Sequence, residues 1–208
     1  MIIDYQLASA QKKVLDALKD EELFVYPTDT LYGFGGNARS QNVIQRIYEV
    51  KKRPQNMPVS ILVRDIKMMQ DFAHISERTA KIIRRFLPGA LTLVLPAKDM
   101  SLPKRLYSDN RYLGFRIPDH PFCRAILEHF QYPIISTSVN ISHTPALTSI
   151  QDIEGQFGNE VQLFISDSRL NNAQHSLGST VIKMTDDSEL QLLREGSILF
   201  TEINRLFL

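Results

Sequence analysis

Apolar residues along this chain switch between the strand period of two and the helical period near 3.6, in short segments that follow no regular order. Helical spacing predicts a helix over 6–19, where Leu7, Ala10, Val14, Leu15 and Leu18 share a face. A second runs from an N-cap at Ser40 through Val50, with Val43, Ile44 and Ile47 inward. Others are expected over 76–87, stopped by Pro88-Gly89, over 121–130 and near 149–157, with a final helical turn. Short apolar runs predict strands at 23–26, 31–34, 59–63, 90–95, 112–117, 134–136, 161–165, 179–184 and 191–194. Irregular alternation of this kind implies an α/β fold layered on one mixed sheet. No repeat, low-complexity tract or linker divides the chain, so one domain over 1–208 is expected.

Bulk properties narrow the function classes. With 43% hydrophobic and 23% charged residues the composition is that of a soluble globular protein. No apolar run reaches the ~18 residues of a membrane span, and the N-terminus lacks a signal-peptide pattern, so the expected compartment is the cytoplasm, with no membrane partner. A single cysteine, Cys123, excludes an internal disulfide and a cysteine zinc site; its apolar helical setting suits a core residue. The net charge of +1 hides an asymmetry: residues 39–124 hold seventeen Lys and Arg against seven Asp and Glu. That excess is either a set of solvated helix faces or a cationic surface for phosphates or nucleic acid.

Familiar catalytic signatures are missing. The chain has no GxxxxGK[ST] loop, no GxGxxG opening a helix, no GxSxG elbow and no HExxH. Its histidines, His74, His120, His129, His143 and His175, show no metal-ligand spacing and read as surface or capping residues. The segment 26–36 carries more information. Its Pro and Gly residues suit a hairpin turn, but Thr28, Asp29, Thr30 and Tyr32 cluster between two apolar strands, where small hydroxyls can grip a carboxylate or an ammonium. Lys51, Lys52 and Arg53 follow a helix, where cations either complement the helix dipole or bind phosphate. Ser138 and Asn140 are turn residues or directional donors. Arg116 ends an apolar strand, where burial demands an anionic partner, and Arg194 repeats that pattern.

Seven segments, in order, resemble the YrdC family of threonylcarbamoyl-AMP synthases: YPTDTLYGFGG (26–36), KKRP (51–54), PGALTLVL (88–95), GFRIPDHP (114–121), STSVN (136–140), GSTVI (178–182) and LLREG (192–196). The resemblance implies a three-layer α/β structure, a strongly twisted mixed sheet flanked by helices around a concave basic cavity. It implies the conversion of L-threonine, bicarbonate and ATP into threonylcarbamoyl-AMP and diphosphate, for threonylcarbamoyladenosine modification of tRNA. Carried over by position, Thr30, Arg116 and Ser179 resemble the threonine-binding residues, and Lys51, Arg53, Ser138, Asn140, Thr148 and Arg194 those contacting ATP. No residue of the pattern is a covalent nucleophile. Mg²⁺ is expected with the nucleotide rather than on protein ligands, and tRNA or double-stranded RNA and downstream threonylcarbamoyl transferase proteins are the expected macromolecular partners.

Departures from the family pattern occur at Met57, at Leu62 (where several members carry a histidine near threonine) and at Tyr112, and Arg194 is followed by Glu195 rather than proline. They lean toward a YciO-like branch and define an alternative: a nucleotide- or RNA-binding protein of the same fold without synthase activity. By the resemblance the chain also lacks the extra C-terminal domain of longer members.

Overall fold

A computed structural model describes all residues except 109, 171–176, 187–188 and 208. Among the described residues ten strands form one mixed sheet, in the order β1-β8-β2-β3-β7-β4-β6-β5-β9-β10. They are β1 (Ile2–Asp4), β2 (Phe24–Pro27), β3 (Tyr32–Gly35), β4 (Ser60–Leu62), β5 (Leu91–Pro96), β6 (Tyr112–Arg116), β7 (Ile134–Ser138), β8 (Leu163–Ser166), β9 (Thr180–Asp186) and β10 (Glu189–Arg194). Helices α1 (Ala8–Lys19), α2 (Gln41–Val50), α3 (Ile66–Phe72), α4 (Glu77–Phe86), α5 (Pro121–His129), α6 (Ile150–Phe157) and α7 (Phe200–Phe207) are connected between them. None is long and apolar enough to cross a membrane.

The expected helix starts follow from capping chemistry. Ser40, Ser76 and Ser149 each accept a hydrogen bond from the main-chain N–H three residues on, satisfying an otherwise orphaned donor. Two of the strands and helices named above lie outside the sequence expectations. The strand β1 has only three residues, and α3 only seven, with the Asp65 carboxylate accepting from the Met68 N–H as its cap. Both are too short to show a period.

The core divides into two clusters. One joins α1 and α5 through Val14, Leu18, Phe122, Ile126 and Leu127 to Phe24, Tyr26 and Ile165 of the sheet. The other gathers α2, α4 and α6 around Phe34, Ile61, Leu93, Phe115 and Ile135. Neighbouring strand residues, such as Ile134 and Ile135 of β7, enter different clusters, as the alternation of side chains requires. The layering of helices on a mixed sheet is the one the irregular alternation implied.

β7 is the hinge of the sheet order. Its first half pairs antiparallel with β4, Ser136 opposite Ser60, and its second half with β3, Ser138 opposite Gly33. A concavity opens over this exchange of partners.

Candidate functional site

Strand alternation builds the concavity. Every second residue faces the same way, so β6 presents Tyr112, Gly114 and Arg116, β5 presents Thr92 and Val94, and Val181 and Lys183 of β9 follow Ser179. Gly114 keeps the floor open, since a Cβ there would meet the Ser60 Oγ at 2.6 Å. The result is a cavity of about 750 Å³, with the loop residues Arg53, Asn56, Met57 and Pro58 on one wall. Among the described residues that line it are four cations, Arg53, Arg116, Lys183 and Arg194, and no carboxylate.

One end is a hydrogen-bonded chain. Arg116, 6% exposed, donates through Nη1 to Thr30 Oγ1 (2.9 Å) and through Nε to the Gly89 carbonyl (3.1 Å). The Thr30 hydroxyl lies 3.2 Å from that of Thr28, which in turn donates to the Leu31 carbonyl at 2.7 Å. At the same end Ser179 Oγ meets Thr92 Oγ1 at 2.8 Å, and Arg194 Nη2 donates to the Ser179 carbonyl at 2.7 Å. Gly178, with φ of 72°, supplies the left-handed bend that starts this wall.

Arg194 is held below the usual arginine range by burial first, then by the like charges of Arg116 and Arg53. Burial also lowers Arg53, partly opposed by Tyr48. Three guanidinium groups thus converge with their hydration reduced, and an anion placed among them relieves both costs.

Of the residues expected from sequence, Thr30, Arg53, Arg116, Ser138, Ser179 and Arg194 line this one cavity, whereas Lys51, Asn140 and Thr148 are not among its lining residues. Lys51, 1% exposed, points behind the wall. Its ammonium donates to the main-chain oxygens of Ser138 and Asn140 and to Asn140 Oδ1 (2.9 Å). Asn140 completes the turn by donating to the carbonyls of Ile141 and Thr144. Burial, and then the charge of Arg53, pulls Lys51 down to about 7, although only an ammonium can satisfy all three oxygens around it. Arg53 donates to the carbonyls of Met57 (2.8 Å) and Pro58 (2.9 Å), so it shapes the loop it sits beside.

Met57 lines the cavity, while Leu62 is fully buried in the core joined by α1 and α5. Tyr112, Lys183, Gln191, Ser108 and Asn56 also line the cavity and are not among the expected site residues. Period-two counting from Ser179 and Arg116 is the signal that finds Lys183 and Tyr112. His120 is a capping residue, as expected, accepting from the Phe122 N–H, but it is buried rather than superficial: it lies 3.0 Å from the Asp167 carboxylate. His175 lies outside the described residues. Among those described, no group of three or more His, Cys, Asp or Glu is placed to hold a metal ion.

A family model described as telomere recombination, covering Sua5, YciO and YrdC proteins, matches residues 16–196. A Methanocaldococcus jannaschii protein provisionally named threonylcarbamoyl-AMP synthase is 35% identical over 94% of this chain and 91% of its own length. The Bacillus subtilis threonylcarbamoyl-AMP synthase is 32% identical over 87% of this chain, which spans about half of that protein, 51%. The solved structure of Pyrococcus abyssi Sua5 complexed with L-threonine superimposes with a TM-score of 0.88 at 30% identity, over 99% of this chain and 60% of that one.

Proposed function

The chain belongs to the Sua5/YciO/YrdC family, and from that premise we propose that it makes threonylcarbamoyl-AMP and diphosphate from L-threonine, bicarbonate and ATP. The product would serve threonylcarbamoyladenosine modification of tRNA. The observation that carries this reading is the cavity lining: among the described residues, four cations and no carboxylate, beside a cluster of hydroxyls.

The amine of threonine and bicarbonate give a carbamate and water; a carbamate oxygen then displaces diphosphate from the α-phosphorus of ATP. Each reactant except the amine is anionic, so converging cations favour assembly and stabilise charge at the phosphorus. Arg116 holds the threonine carboxylate with its unspent donors, and the hydroxyls of Thr30 and Ser179 orient the amino acid. Arg53, Arg194 and Ser138 face the nucleotide phosphates. Lys51 and Asn140 support the turn that presents Ser138, and Thr148 precedes the Ser149 cap of α6. Mg²⁺ enters as part of the nucleotide substrate, its charge shared among phosphate oxygens.

The experiment is direct. Pure protein with threonine, bicarbonate, ATP and Mg²⁺ should release diphosphate and form the adenylate, both dependent on threonine. No turnover where a known synthase is active would sink this reading in favour of a binding protein on the same fold.

A further inference from the structure

Three of the four cations lining the cavity have protein hydrogen-bond acceptors: Arg53 the carbonyls of Met57 and Pro58, Arg116 Thr30 and Gly89, Arg194 the carbonyl of Ser179. Lys183 is different. Among the described residues its ammonium has no hydrogen bond and no ion pair; it lies over the ring of Tyr112, 4.2 Å from the centroid. The ring is itself fixed, because the Tyr112 hydroxyl donates to the Thr185 carbonyl at 3.0 Å. An aromatic face holds a cation in place without using its N–H donors. The donors of Lys183 that do not face the ring therefore remain for a ligand, and among the described lining residues no carboxylate competes for them.

Position says which part of a ligand arrives there. Lys183 shares a strand face with Ser179 and stands four residues on, about 13 Å at roughly 3.3 Å per residue. Tyr112 is likewise four residues before Arg116, on β6, with β5 between it and β9. The pair thus forms the end of the cavity opposite the Arg116–Thr30–Ser179 end. In phosphoryl transfer the attacking and leaving oxygens lie roughly in line. If the attacking carbamate is built at the Arg116 end, the leaving diphosphate points away from it, toward Tyr112 and Lys183. Resting on the reading of the cavity given above, we infer that Lys183, held by the Tyr112 ring, binds the terminal phosphates of the nucleoside triphosphate and the departing diphosphate. It is a compact point charge suited to phosphate oxygens whose position changes as the bond breaks.

A nucleotide ladder tests this. Affinities for AMP, ADP and ATP are measured by calorimetry on the full-length wild type, Lys183→Met and Lys183→Arg, with L-threonine as a further ligand. In Lys183→Met, ATP affinity should fall at least about tenfold, ADP affinity less, and AMP and threonine affinities should not change. Lys183→Arg should recover most of the ATP affinity, which a loss of packing alone would not predict. Equal losses for AMP and ATP place Lys183 at the base or ribose and overturn the inference, as does an unchanged ATP affinity. Wild type that binds ATP with the expected ladder but forms no adenylate refutes the synthase reading and leaves Lys183 as assigned. Wild type that binds none of the three nucleotides overturns both.

Discussion

Arg116 and Asp29 approach to 2.7 Å through Nη2 and Oδ1, close enough for an ion pair, yet without the alignment of a hydrogen bond. Both atoms are buried, so Asp29 steadies the guanidinium from inside the protein and a donor of Nη1 is what remains for an incoming carboxylate.

Arg116→Ala should therefore weaken L-threonine binding about ten- to a hundredfold, the equivalent of a charge-assisted contact worth roughly 1.5–3 kcal/mol, and leave ATP binding near its wild-type value. Arg53→Ala should do the reverse. Calorimetry with each ligand separately decides it; if both variants lose the same ligand, the assignment of the two arginines is wrong.

If the cavity takes ATP as proposed, Lys51 should make nucleotide binding pH-dependent. With a pKa near 7 in the free protein, it is charged below that pH and loses its proton above it. Phosphates bound on the other side of the Ser138 turn favour the ammonium, so the pKa rises in the complex. Binding should then take up protons above about pH 7, and affinity should decline as pH rises from 7 toward the shifted value. Calorimetry at pH 8 in buffers of different ionisation heat measures the uptake, which Lys51→Met should abolish.

Two glycines should respond in opposite directions. A Cβ on Gly196 would lie 2.5 Å from the Gly178 carbonyl oxygen and 2.6 Å from that of Ser179, so the backbone of the cavity wall must move. Gly196→Ala should cost about 1–3 kcal/mol and also weaken ligand binding. Gly155, exposed within α6, has nothing within 4 Å of its Cβ position. Gly155→Ala should gain about 0.5–1 kcal/mol, raising Tm by a few degrees.

Cys123 should be inert in the native protein. Burial pushes its thiol above the usual cysteine range, and its Sγ lies 3.2 Å from the Pro27 carbonyl. A disulfide reagent should label it only at the rate of unfolding, in proportion to denaturant. Labelling at the rate of a free thiol would contradict the packing of α5.

Much of this was legible because it is local. Serine caps, the Pro121 start of α5 and the period-two runs of β5 and β6 are set by neighbours in sequence. The positions lining the cavity followed ordered segments, so Thr30, Arg116, Ser138 and Ser179 could be named beforehand. What could not be read was direction. Lys51 and Arg53 sit two residues apart, and only the fold turns one behind the wall and leaves the other on it, because the acceptors of Lys51 lie on β7 and the turn after it. The pairing of Lys183 with Tyr112 likewise depends on β5, the strand that lies between β9 and β6 in the sheet.

The order of strands in the sheet bears on how the protein is made. Ile2 pairs with Phe164, so β1 has no partner until about 160 further residues have left the ribosome. At roughly 5–20 residues per second that is a delay of about ten to thirty seconds. During it the apolar β2 has β3 on one side, while its other edge, which later receives β8, stays open. Nascent chains of this protein therefore expose a sheet edge for most of their synthesis, and the closing of the sheet is a late, long-range event that makes folding slow and chaperone access valuable.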